Sequence, residues 1–85
     1  MEKSKNQTSE FIEVDKNEII FFTDHWPIGF QRTVSDALKA KGINIDRVKV
    51  QRELTMIKKS YNKEVIETAR FLLKAIKGKE YGVSK

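Results

Sequence analysis

The chain has no cysteine, one proline, one histidine and one tryptophan in 85 residues. Without cysteine it has no disulfide staples, thiolate metal sites or thiol nucleophiles, and the lone His25 cannot assemble an imidazole cluster for zinc. Long apolar runs are also missing. The longest is Ile19-Ile20-Phe21-Phe22, far short of the roughly 18–20 residues that cross a bilayer. The charged opening Met1-Glu2-Lys3-Ser4-Lys5 lacks the apolar stretch of a secretory signal. The expectation is a cytoplasmic, soluble protein with no membrane partner, no metal and no other cofactor. Catalytic groupings are scarce as well. Asp24 and His25 adjoin in sequence, which says nothing about convergence in space. Glu64 and Glu67 are explained by their place in the first turns of a helix, and the four glycines form no phosphate-binding loop. An enzyme is not expected.

What the chain does have is charge of one sign, unevenly spread. Residues 1–25 carry three lysines against six acids, whereas residues 26–85 carry fourteen bases against six acids. Between Lys39 and Lys63 there are eight bases (Lys39, Lys41, Arg47, Lys49, Arg52, Lys58, Lys59 and Lys63) against Asp46 and Glu53. Such a concentration on one segment of a small domain suits contact with phosphates, and a lysine-rich solubilising surface is the plain alternative. Hydrophobic residues make up 39%, enough for one small core, so almost every apolar residue at helical spacing is needed in it.

Residues 1–16 are polar and mixed in charge, and read as a disordered tail. Residues 17–80 read as a single helical domain and 81–85 as a short basic tail. The run Ile19 to Phe22 fixes neither a helical nor a strand period and is expected to be a short helical turn or an extended apolar arm, with Trp26-Pro27 and Gly29 as punctuation. Phe30, Val34, Ala37 and Leu38 then recur at i, i+4, i+7 and i+8, the spacing of an amphipathic helix that stops near Gly42. Asn44 is the expected cap of a second helix whose stripe is Val50, Leu54 and Ile57, continued by Tyr61. A third helix, capped by Asn62 and stopped by Gly78, carries Val65, Ile66, Ala69, Leu72, Leu73 and Ile76. Phe71 lies off that stripe, so either the Ile19–Phe22 arm or a second subunit is expected to cover it. The predicted fold class is therefore all-α, a compact three-helix domain.

Two helices joined by a short glycine-containing turn, the second basic and outwardly polar, form a helix-turn-helix arrangement. Its expected partner is double-stranded DNA, with a nucleoid association following from that. Val48, Gln51, Arg52 and Thr55 would meet base edges, since arginine donates twice to guanine, glutamine pairs with adenine and an apolar group meets the thymine methyl. Arg32, Lys39, Lys41, Lys49, Lys58, Lys59 and Lys63 would meet phosphates, which position without reading sequence. A two-fold dimer, with Phe71 at its interface, would suit paired half-sites.

Gly29-Phe30-Gln31-Arg32-Thr33-Val34-Ser35-Asp36-Ala37-Leu38, then Gly42-Ile43-Asn44, then Asn62-Lys63-Glu64-Val65 with Ala69, resembles the small bacterial and phage helix-turn-helix proteins of the lambda-repressor type. The resemblance covers about residues 29–76 and implies a small transcriptional regulator. Two departures accompany it. Lys39-Ala40-Lys41 lengthens the turn region, and Gln51 falls where that family places an aliphatic core residue if Val48 is aligned on the motif. Either Val50 and Leu54 face the core instead, as periodicity indicates, or the motif does not apply. The competing class is a protein-binding helical adaptor whose basic groove receives an acidic partner.

Overall fold

The computed structural model describes residues 10–82. It contains β1 (Phe11–Ile12), α1 (Lys16–Asp24), α2 (Phe30–Ala40), α3 (Arg47–Thr55), β2 (Tyr61–Asn62) and α4 (Lys63–Lys77). The three helices expected from periodicity are present as α2, α3 and α4. The all-α, three-helix reading is corrected by a fourth helix, α1, and by a two-stranded ribbon. In that ribbon β1 and β2 run antiparallel, with Phe11 opposite Asn62 and Ile12 opposite Tyr61.

Of the two readings open for the Ile19–Phe22 segment the helical one holds, as the nine-residue helix α1 rather than a single turn. Asp15 caps it, its carboxylate accepting the Asn17 N–H at 3.0 Å, which satisfies one of the free amides of the first turn. Ile19 and Phe22, three residues apart, enter the core, while Ile20 points to solvent and Phe21 is half-buried. Four apolar residues in a row concealed this division, because only two of them share the inward face.

Helix α2 buries Phe30, Val34 and Leu38. It ends in a Schellman turn: the Gly42 N–H donates to the Lys39 carbonyl and the Ile43 N–H to the Leu38 carbonyl, both at 2.9 Å. Gly42 sits at φ 86, a backbone region costly for any residue with a Cβ. The half-buried Ile43 packs on the core beyond the turn. Asp46, not Asn44, caps α3 by accepting the Lys49 N–H at 3.0 Å. The turn from Lys41 to Asp46 is thus six residues, longer than the sequence reading assumed.

Helix α3 buries Val50 and Leu54 and then stops, so Ile57 lies beyond the helix and is 58% exposed. That corrects the expected stripe. Tyr61 is buried as expected, but from β2. Asn62 caps α4 by accepting the Glu64 and Val65 amides, and Gly78 ends it in the left-handed region. Val65, Ile66, Ala69 and Leu73 face inward and Leu72 is half-buried, whereas Ile76, expected in the core, is exposed.

Helix α2 packs on α3 and α4, α1 packs on α3, and β2 adjoins α4. Each fully buried Phe, Leu or Ile here contributes roughly 1.5–3 kcal/mol. Among the described residues the three buried polar side chains, Glu18, Ser35 and Thr68, each have a partner. Glu18 is clasped by Arg70, whose Nε and Nη2 donate to its two oxygens at 2.7 and 2.9 Å. The Ser35 hydroxyl donates to the Ile45 carbonyl at 2.6 Å, and Thr68 Oγ1 accepts from Lys41 Nζ at 3.1 Å.

The tail reading for residues 1–16 is corrected over its last residues: Phe11 and Ile12 pair with β2, Ile12 and Val14 pack on the core, and the Lys63 N–H donates to the Glu10 carbonyl at 2.9 Å. The rest of that reading, residues 1–9, lies outside the described residues, as do residues 83–85 of the expected basic tail. Tyr81 of that tail is half-buried, its hydroxyl donating to Asp15 at 3.2 Å and its ring edge-on to Phe21. No helix among the described residues is long and apolar enough to cross a membrane.

Candidate nucleic-acid interface

Helix α3 is nine residues long and only Val50 and Leu54 of it are buried. At about 100° per residue these two fix the inward direction, and the opposite arc runs through Gln51, Thr55, Val48 and Arg52 to Lys49. All five are exposed. The register question raised by Gln51 is answered here: Val50 and Leu54 face the core and Gln51 faces out. The Thr55 hydroxyl donates to the Gln51 carbonyl at 2.7 Å, so what Thr55 has left for a ligand is a methyl group and an oxygen lone pair.

So short a helix is held in place by tethers at both ends. At its start Asp46 caps it and the Ser35–Ile45 bond ties the preceding turn to α2. At its end Glu53 accepts hydrogen bonds from the Asn62 N–H of β2 and from Lys58 Nζ. The Tyr61 hydroxyl accepts from the Lys58 N–H and donates to the Met56 carbonyl, both at 2.8 Å. These bonds shape the loop 56–60 and carry Lys58 and Lys59 past the end of α3.

The cations expected to meet phosphates divide into two groups. Arg32, Lys39, Lys49 and Lys59 are exposed and form no ion pair among the described residues. Arg32 and Lys39 line a notch at the start of α3 together with Ser35, Asp36, Asp46 and Arg47. Lys41, Lys58 and Lys63 are already engaged, with Thr68, Glu53 and Glu10 respectively. The Glu10 hydrogen bond and charge, joined by Glu67 and Glu64, hold the Lys63 ammonium above the ordinary lysine value.

Arg47, counted among the bases of this segment, has no contact assigned to it by the sequence pattern. With the cap moved from Asn44 to Asp46 it becomes the first residue of α3, exposed beside Arg32 and Lys39. The signal that could have found it is Asp46 itself, as good a cap residue as Asn44 and closer to the first buried valine. Glu53 and Tyr61 were missed as tethers because their partners are backbone groups, which a side-chain pattern does not display.

Phe71 is 71% exposed on α4. The Ile19–Phe22 segment does not cover it, since Ile19 and Phe22 are spent on the core and Phe21 packs against His25 and Tyr81. No group of three or more His, Cys, Asp or Glu side chains is placed to hold a metal ion among the described residues. No protein-family model, curated protein or solved structure matches the chain.

Proposed function

We propose that the protein binds double-stranded DNA, with α3 entering the major groove, and acts as a small transcriptional regulator. The observation that carries the reading is the use made of α3: two residues hold it to the core and five, Val48, Lys49, Gln51, Arg52 and Thr55, stand exposed on one arc. Arg52 and Gln51 have the donors that read guanine and adenine, and Val48 and the Thr55 methyl suit thymine. Arg32, Lys39 and Arg47 flank the start of α3, and Lys49 and Lys59 stand along it and past its end, where phosphates of a groove-docked duplex would run. Phe71, on a different helix, is the surface offered to a second copy, so that two α3 helices read paired half-sites about one DNA turn apart.

The test is titration with a selected duplex and a random duplex at two salt concentrations. Contacts from Arg32, Lys39, Arg47, Lys49 and Lys59 should give a slope of log affinity on log salt of about −4 to −5 per chain. Arg52→Ala should cost about 1–3 kcal/mol on the selected site and relax specificity there, whereas Lys59→Ala should weaken all duplexes alike and reduce the slope by about one. Unchanged binding in both variants would exclude α3 as the reader. A wild type that binds no duplex at low salt would move the reading to a protein-binding module, which the exposed Phe71, Ile57 and Met56 favour.

A further inference from the structure

Between α3 and the ribbon lies a groove of about 460 Å³, lined by Phe11, Ile45, Met56 and Val65 on its apolar side and by Lys49, Arg52, Glu53, Lys58 and Asn62 on its polar side. Its volume is within the range of about 300–1,000 Å³ typical of small-molecule sites. Two features set it apart from an ordinary dent in a basic surface. Phe11 and Met56, 60% and 51% exposed, present apolar area to solvent at the same place, an arrangement that favours an occupant with an apolar body. The charges on the polar side do not cancel: Glu53 is neutralised by Lys58 at 2.6 Å, and Lys49 and Arg52 form no ion pair among the described residues.

The geometry points to a binding site for a small amphipathic organic anion, one to three rings or a branched aliphatic body bearing a single acidic head, with the body against Phe11, Met56 and Ile45 and the head on Arg52 and Lys49. A phosphodiester backbone satisfies the cations but not the apolar wall. A second copy of the chain that met this groove with its own α3 would set the same two cations against Lys49 and Arg52, so like charges would meet. An organic anion satisfies both sides. Lys49 and Arg52 also belong to the outward arc of α3, so occupancy of the groove withdraws them from DNA. This last step rests on the proposed DNA binding, while the site itself does not.

The protein supplies its own reporter. It has two methionines, Met1 and Met56, so a sample labelled with ¹³C at the methionine methyls gives one signal from the groove and one from the chain start. The probe is anilinonaphthalene sulfonate, and its neutral counterpart is N-phenylnaphthylamine, the same aromatic body without the acid. The sulfonate should move the Met56 signal and not that of Met1, and the amine should bind about tenfold more weakly. Phe11→Ala should weaken the sulfonate about tenfold while leaving duplex affinity unchanged, and Arg52→Ala should weaken both ligands. With wild type, the sulfonate should displace a bound duplex.

Sulfonate fluorescence without movement of Met56, or equal affinity for the neutral amine, overturns the site. An acetyl-Glu-Leu-Glu-Phe-Glu-amide peptide that moves Met56 at concentrations about tenfold lower than the sulfonate reassigns the groove to an acidic protein segment and overturns the small-molecule assignment. Movement of Met56 with protein concentration alone reassigns it to a second copy and does the same. If the sulfonate binds but no duplex does, the site stands and the DNA reading falls. If both bind without competing, the regulatory link is overturned.

Discussion

Helix α4 buries Val65, Ile66, Ala69 and Leu73 along one face, whereas α3 buries only Val50 and Leu54. The longer helix has its own apolar stripe as well as the Asn62 cap and the Arg70–Glu18 pair. The shorter one is held by bonds at its ends: the Asp46 cap, its own Glu53 on the Asn62 amide, and Tyr61 on the loop that follows. A helix held by a stripe spends much of its surface on packing. A helix held at its ends keeps most of its side chains free, which suits the binding role proposed for α3.

The largest effect should come from breaking the stripe. Leu73→Ala removes a fully buried side chain from α4 and should cost about 2–5 kcal/mol of unfolding free energy. The companion change Ile76→Ala, at a residue the periodicity placed in the core but which is half exposed, should cost less than about 1 kcal/mol. Urea denaturation of the two variants measures the difference. Equal losses would mean that Ile76 is buried in solution and that the stripe runs the full length of α4.

Removing the tethers should do less to the whole domain and more to α3. Glu53→Ala strips the acceptor from the partly buried Asn62 amide and the partner from Lys58, an expected loss of about 1–3 kcal/mol. Tyr61→Phe leaves the ring in the core but frees the Lys58 amide and the Met56 carbonyl, an expected loss of about 0.5–2 kcal/mol. Amide exchange should show faster opening at Met56 and Lys58 in both variants, with Ala69 and Leu73 protected as in wild type after correction for global stability. Exchange that rises equally throughout would show that α3 and α4 open as one unit and that the contrast between them is only static.

The same contrast decides what was legible in the sequence. The apolar stripe of α4 and the Asn62 and Gly78 that bound it were readable, because periodicity and capping chemistry lie within the element. So were Phe30, Val34 and Leu38 of α2 and the left-handed Gly42. Helix α3 was readable on its inward side, Val50 and Leu54, but its ends were not. Asn44 and Asp46 are both good caps, and only the Ser35–Ile45 bond, made by a residue ten positions earlier, fixes the turn that favours Asp46. Ile57 continued the stripe on paper, yet the Tyr61 hydroxyl takes the Met56 carbonyl and turns the chain away before Ile57 can reach the core. The ribbon was illegible for a related reason. Two-residue strands carry no alternation to detect, and the pairing of Phe11 with Asn62 joins residues far apart in sequence.

The outward residues of α3 named from sequence are all exposed, because exposure follows once the inward face is known. Which cations remain free did not follow. Lys63 and Lys58 looked like Lys49 in the sequence, and only the folded positions of Glu10 and Glu53 separate them.

The smallest expected effect concerns the far end of the α4 side, where the chain beyond Gly78 returns to α1. The Tyr81 hydroxyl donates to Asp15, and partial burial, that hydrogen bond, and the nearby charges of Asp15 and Glu18 together raise its pKa above the ordinary tyrosine value. The folded protein therefore holds the phenol proton more tightly than the unfolded chain does. The stability linked to this group is fully present below the ordinary tyrosine pKa of about 10 and is lost as pH rises through the higher folded value. Asp15→Asn keeps the oxygen that caps α1 but removes the charge and puts an amide NH2, a donor, where the second carboxylate oxygen accepted from Tyr81, so the Tyr81 midpoint should move back toward the ordinary value with helix content unchanged. Tyrosine labelled with ¹³C on the ring separates Tyr81 from the buried Tyr61 in a pH titration. A midpoint that does not move in the variant would show that burial alone sets the Tyr81 pKa, and that the segment after α4 rests on Phe21 without help from Asp15.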